Sequence, residues 1–399
     1  MTPPLSSAPK GSAWEVLRAF LVLGLTSFGG PMAHFGYFRR EFVENRQWLS
    51  EHDYSGLLAL CQFLPGPSSS QTGFCIGLKR AGWRGGLAAW AGFSLPSAAL
   101  MLALAYWMNI FQNLPMARGA LHGLQLAAVA VVAQALYAMA RSLCPDTPRR
   151  ALALLAAAIL GLQPGTSGQI LVLVIGAVIG GVALEQEETV NAARGAGLSM
   201  RAHRAALGCM LVFLLLLLLA FLAPPSGALA LFGAFYQTGA LVFGGGHVVL
   251  PLLRDSVVMP GWISQQWFLA GYGAAQAVPG PLFSVAAFLG AMASGGPGGI
   301  WGAAIATLAI FMPGLLIVAA TLPYWEVLRS HRWVATAMMG VNAAVVGVLG
   351  AAFINLLTLS TVHSPWDLPI AGAALLLLVV GRARPLLVVI FCAVAGAAL

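Results

Sequence analysis

The run Gln62-Phe63-Leu64-Pro65-Gly66-Pro67-Ser68-Ser69-Ser70-Gln71-Thr72-Gly73 places a helix stop and a row of hydrogen-bond donors inside an otherwise apolar stretch. Pro65 and Pro67 have no backbone N–H, and Gly66 reaches backbone angles closed to other residues. A helix must stop here and restart near Ser68. The new N-terminus offers about four unpaired N–H groups and roughly half a positive charge from the helix dipole. Ser68, Ser69, Ser70, Gln71 and Thr72 add neutral donors beside it. Such a cradle suits a tetrahedral dianion and holds it more loosely than several arginines would. The alternative is a structural kink whose serines cap the second half-helix. The pattern returns as Gln276-Ala277-Val278-Pro279-Gly280-Pro281 followed by Ser284, with Leu282 and Phe283 where two serines stood. Paired interruptions in two halves of a chain point to a transporter site, which favours the binding reading.

Two glycine clusters come next. Phe28-Gly29-Gly30-Pro31 precedes His34, and Phe243-Gly244-Gly245-Gly246 precedes His247. Glycines at a helix end allow close packing or an open backbone along a cavity. Each histidine either binds an anion or shuttles a proton, or it simply caps its helix. Arg39 and Arg40 sit among Glu41, Glu44, Arg46 and Glu51. That mixture reads as a solvated amphipathic face, with a cytoplasmic anion funnel as the alternative. Glu15 and Arg18, three residues apart, suggest a local pair. Gln125 and Asn342 either hydrogen-bond between helices or line the pathway.

Several chemistries are missing. No Asp or Glu falls well inside a clear apolar span, so no carboxylate proton relay is evident. There is no phosphate-binding Gly-x-x-x-x-Gly-Lys-[Ser/Thr] loop and no hydrolase motif, so an enzyme is not expected. Cys61, Cys75, Cys144, Cys209 and Cys392 are scattered, which argues for packing roles and against a disulfide framework, metal site or cofactor.

The elements that position these residues are membrane helices. Hydrophobic residues make up 59% of the 399 and charged residues 8%, with a mean hydropathy of +0.87. A soluble domain carries roughly 25% charged residues. Apolar stretches run over Ala206–Ala223, Ile300–Leu322, Val334–Leu357 and Leu368–Val380, and several of them reach the ~20 residues that cross a bilayer. The formal charge of +8 marks cytoplasmic loops and does not call for nucleic acid. Residues 1–12 read as a short disordered tail, and no removed signal peptide is expected.

Most of the chain is written twice. Phe28-Gly29-Gly30 matches Phe243-Gly244-Gly245, and Trp48-Leu49-Ser50 matches Trp262-Ile263-Ser264. Gln62–Pro67 matches Gln276–Pro281, Pro96 matches Pro313, and Gly123-Leu124-Gln125 matches Gly340-Val341-Asn342. All these pairs share one order and a nearly constant offset. Residues 1–184 form the first copy with its tail, 185–225 a polar cytoplasmic linker plus an additional helix, and 226–399 the second copy. Each copy predicts a first helix (13–30, 228–244), a polar Trp-containing connector, and two half-helices around Pro-Gly-Pro (52–64 and 68–80, 265–278 and 282–293). Two long helices (85–111 and 117–142, 300–322 and 333–358) and two short apolar segments (151–163 and 168–184, 367–380 and 385–399) follow. The expectation is an all-α polytopic membrane protein with ten to thirteen membrane segments. Arg39, Arg40, Arg46, Lys79, Arg80 and Arg84 flank the first broken helix, against Arg254 alone in the second copy. The connector between the long helices shows the reverse, with Arg118 against Arg329, His331 and Arg332. Opposite bias predicts inverted copies and a re-entrant hairpin entering from the cytoplasm, although a plain count of spans favours parallel ones.

Phe28–His34, Leu64–Gln71, Phe243–His247 and Val278–Pro281 together resemble the signatures of the chromate transporter family, long-chain type, and the likeness runs over most of residues 14–358. The resemblance implies a bacterial inner-membrane protein that expels chromate and confers resistance. Its expected partners are chromate or a related oxyanion and the lipid bilayer, with a homodimer left open. Sulfate shares the charge and shape of chromate and stays open as the cargo. A membrane-embedded enzyme or scaffold without transport is the remaining alternative.

Overall fold

The computed structural model describes residues 11–111, 114–184, 200–358 and 365–398. The first copy opens with α1 (Ala13–Thr26), α2 (Gly30–Phe38) and a π-helical turn, Arg39–Asn45. It continues with α3 (Glu51–Phe63), α4 (Ser68–Phe111), α5 (Pro115–Leu143), α6 (Thr147–Leu162) and α7 (Thr166–Ala183). Helix α8 (Met200–Phe221) stands between the copies. The second copy repeats the series as α9 (Ala228–Leu241), α10 (Val249–Leu253) with a π-turn at Arg254–Val258, and α11 (Gln265–Ala275). It ends with α12 (Val285–Met292), α13 (Gly299–Thr321), the short α14 (Trp325–Ser330), α15 (Arg332–Thr358), α16 (Asp367–Val379) and α17 (Pro385–Ala398).

The expected helix boundaries hold to within a few residues, and the polar, Trp-containing connector after the first helix is itself largely helical. Helix α1 stops at Thr26, Gly29 takes φ +108° and Gly30 φ +77°, and Pro31 starts α2. Left-handed glycines turn the chain back, and proline at the first helical turn is pre-set for helix. Helix α4 bends at Ala81 and Gly82 into limbs 68–80 and 83–111. The expected N-terminal tail lies outside the described residues up to position 10, and the linker outside them from 185 to 199. Among the described residues, six helices are long and apolar enough to cross a membrane, and four shorter apolar helices accompany them. The chain is a multi-pass membrane protein, and several of the ten to thirteen segments expected are half-length helices.

The copies interleave. Helices α6 and α7 of the first copy pack on α15 of the second, while α16 and α17 pack on α5. Small residues permit both approaches. A Cβ on Gly123 would lie 2.0 Å from the Cys392 carbonyl oxygen, and one on Gly340 would lie 2.0 Å from that of Gly176. Equivalent helices run in opposite directions. The Trp90 ring meets Phe311 at 5.9 Å, and the Tyr106 hydroxyl lies against Gly299. Ascending α4 therefore means descending α13. Leu136 beside Gly350, with Cys144 clustered against Ala343, gives the same sense for α5 and α15.

Candidate functional site

Both Pro-Gly-Pro turns lie at the crossing of the copies. The Gly66 N–H donates to the Val242 carbonyl at 2.7 Å, and the Gly280 N–H donates to the Ser27 carbonyl at 2.9 Å. Val242 and Ser27 occupy matching positions at the ends of α9 and α1, so each turn is pinned by the other copy. Pro65, Pro67, Pro279 and Pro281 are buried with their glycines. The turns are also filled. Gly66 abuts Gly314, and the Gln71 side-chain amide donates to the Pro65 carbonyl (2.8 Å) and the Gly314 carbonyl (3.0 Å). Ser284 and Ser97 share a hydroxyl hydrogen bond of 2.7 Å. Ser68, Ser69 and Ser70 are buried. The serine cradle expected from sequence is thus closed in this conformation. Around it, Ser27 Oγ, Ser70 Oγ, Ser94 Oγ, Gln71 Oε1 and both ring nitrogens of His34 are buried without a hydrogen-bond partner. His34 meets the Phe93 ring edge-on. Buried polar atoms of this kind ordinarily have partners, so this layer is suited to receive polar groups.

A cavity of about 230 Å³ opens next to this layer. Gly29 and Gly30 line it from the first copy, and His247 and Gln276 from the second. Four residues singled out from sequence therefore meet in one place. Val131 and Gln134 of α5 form a wall, and Leu378, Arg382, Ala383 and Pro385 close it from the α16–α17 turn. With ~30 Å³ for each liquid water, this space takes a tetrahedral oxyanion and part of its hydration.

The cavity has positive character from three sources. The N-terminus of α2 begins at Gly29–Gly30 without a side-chain cap, and that of α17 begins at Pro385; each brings the positive pole of its dipole to the cavity. Arg382, with φ +49°, adds a full charge. None of the lining residues is acidic. Gln134 and Gln276 supply neutral donors, and His247 Nδ1 lies 3.1 Å from the Tyr272 hydroxyl, which fixes its ring.

Other expected residues lie elsewhere. Gln62 is exposed although its counterpart Gln276 lines the cavity. Asn342 Oδ1 lies beside Gly244 without a partner, Gly245 has open space beside it, and Gln125 is buried. Arg39 is paired with Glu44 and Glu51, and Arg40 is exposed. Arg39 thus belongs to a solvated ion-paired face that also carries the separate pairs Arg46–Glu41 and Lys79–Asp53. Glu15 bonds Arg80 at 3.1 Å, which corrects the expected pairing with Arg18. The five cysteines are free, and four are buried. Among the described residues no cluster of metal-ligating side chains forms.

Two crossed copies around an acid-free polar cavity define a duplicated membrane transporter. The chain belongs to the chromate transporter family, whose sequence profile matches residues 14–181 and again 229–397. A probable chromate transport protein of Synechococcus elongatus is 29% identical over 97% of this chain and 96% of its own length. Chromate transport proteins of Pseudomonas aeruginosa and Cupriavidus metallidurans are each 27% identical, over 91% and 98% of this chain and 84% and 93% of their own. No solved structure matches.

Proposed function

We propose that this protein carries a tetrahedral oxyanion, chromate, out of the cell across the bacterial inner membrane and so confers chromate resistance. One observation carries the reading: two helix N-termini, Arg382 and three neutral side chains converge on a cavity between the copies with no carboxylate. Family membership and the names of the relatives support the cargo. The membrane potential, negative inside, contributes ~2.3 kcal/mol per charge per 100 mV toward exit. The cavity is the first station. The buried layer of Ser68, Ser69, Ser70 and His34 is the second, opened as the copies rock against each other.

Proteoliposomes loaded through everted orientation provide the test. Wild-type protein is expected to accumulate labelled chromate, with unlabelled sulfate competing weakly. Changing Ser68, Ser69 and Ser70 together to Ala is expected to lower the maximal rate and leave half-saturation nearly unchanged. Absence of chromate flux in the wild type would falsify the reading, and tighter competition by sulfate would reassign the cargo.

The antiparallel run of equivalent helices, with the opposite charge bias of matching flanks, supports opposite insertion of the copies. Arg46 and Met259 are exposed near matching positions. Arg46→Cys and Met259→Cys are expected to react with an impermeant maleimide from opposite sides of the membrane. Labelling from one side only would establish parallel insertion.

A further inference from the structure

His122 and Asp367 join the two copies away from the cavity. Nε2 of His122 lies 2.8 Å from Oδ1 of Asp367. The Asp367 side chain has no exposure, while His122 keeps 26%. Asp367 stands at the first position of α16, at the edge of its span, so the expectation that no carboxylate lies well inside an apolar span is unaffected. Asp367 borders a polar segment in sequence and is buried only because α5 covers the start of α16. A carboxylate held out of water costs several kcal/mol unless a proton or a positive charge accompanies it. The start of α16 offsets part of that through its dipole.

The pair and the cavity share the same two elements. Helix α16 spans 13 residues, or ~20 Å at 1.5 Å per residue. Its far end leads through Leu378 to Arg382 at the cavity. On α5, His122 and Gln134 are separated by about 18 Å along the axis. Around the pair, α5 brings Arg118 one turn away and α17 brings Cys392, while α11 meets α5 through Gly273 at Leu124, its Tyr272 hydroxyl turned to His247 at the cavity, and α15 meets α5 further along near Leu136. Nε2–H donates to Oδ1 whether the imidazole is neutral or protonated. Loss of a proton from the imidazole therefore leaves the contact intact and lowers the charge of the pair by one.

We propose that His122 and Asp367 form a proton-binding site that couples proton movement to anion movement through the α16–α17 hairpin. One proton from the water reaching His122 adds to the imidazole beside the Asp367 carboxylate. It returns to water when the hairpin shifts. The hairpin's other end carries Arg382, so the position that gains the proton also sets the charge facing the cavity. The coupling rests on the reading of that cavity as the anion path; the proton site does not.

Chromate uptake into proteoliposomes under a pH gradient, with the potential clamped to zero, tests the coupling. Wild-type flux is expected to rise several-fold with the gradient, and Asp367→Asn is expected to lose that response. His122→Gln, which keeps a neutral donor beside Asp367, carries the same comparison should the first variant not accumulate. A second readout needs no transport. The pH-difference infrared spectrum of the wild type should contain a band from the pair that both variants lack. Variants that keep the gradient response, or keep the band, overturn the proposal. Wild-type protein with no chromate flux but with a band lost in the variants would sink the anion reading and leave the proton site standing.

Discussion

Gly66→Ala is expected to remove most folded protein from the membrane, whereas Gly280→Ala lowers it only in part. Both glycines have left-handed backbones, φ +118° and +97°, and a side chain held in such a conformation costs about 1–3 kcal/mol. The surroundings then separate the two positions. A Cβ on Gly66 would stand 2.8 Å from the Cα of Gly314, which is backbone of α13 and cannot turn aside. A Cβ on Gly280 would meet Ser97 Oγ at 2.8 Å, a side chain that can rotate, and the Phe93 carbonyl at 3.1 Å. Overpacking adds about 1–3 kcal/mol where nothing yields. The Gly66 total approaches the ~5–15 kcal/mol that holds a folded protein together, while the Gly280 total stays lower and includes the Ser97–Ser284 hydrogen bond. Thermal melting of detergent-solubilised fusions, followed by size-exclusion chromatography, reads the order. Equal losses, or a larger loss at Gly280, would show that the copies do not cross at Gly66 and Gly314 as described.

That crossing explains what the sequence makes legible. Pro-Gly-Pro, the glycine clusters and mid-helix Pro96 and Pro313 each dictate a local backbone event, so helix boundaries and the duplication are readable from residue types alone. Helix α2 was hidden because its start depends on Gly29 and Gly30 turning left-handed, which glycine permits without demanding. Gly29, Gly30, His247 and Gln276 were readable as candidate pathway residues, and the structure places them around one cavity. Which copy each would face was not readable, because α16 and α17 pack on α5 of the other copy through contacts far apart in sequence. Gln134 gave no signal beyond a lone amide in an apolar helix. Arg382 lies between two short apolar segments, where a lone loop charge is ordinary and points to no site. Asp367 and His122 lie 245 residues apart, and nothing local to either announces the other. The serine run shows the converse case. Its donors are as expected, yet Gln71 already satisfies Pro65 and Gly314, so a sequence-derived cradle turned out closed.

Arg382→Gln is expected to raise half-saturation for chromate by roughly ten- to a hundredfold, with a smaller fall in maximal rate. Arg382 is the one full positive charge among the residues lining the cavity, and among the described residues no acidic partner neutralises it. A hydrogen bond to a charged group contributes about 1.5–3 kcal/mol, and each ~1.4 kcal/mol is tenfold in affinity. The N-termini of α2 and α17 remain in the variant, so binding weakens and does not vanish. Arg382→Lys should fall between the two, because lysine keeps the charge and loses the planar fork that meets two oxygens of one anion. Position matters as much as charge. Arg382 holds φ +49° between α16 and α17, so inserting glycine after it should displace the guanidinium and weaken binding even with the charge retained. Initial rates of labelled chromate uptake across a concentration series separate these effects. If Gln and Lys variants match the wild type in half-saturation while the triple serine variant does not, the anion is held at the start of α4 and the cavity is only its vestibule.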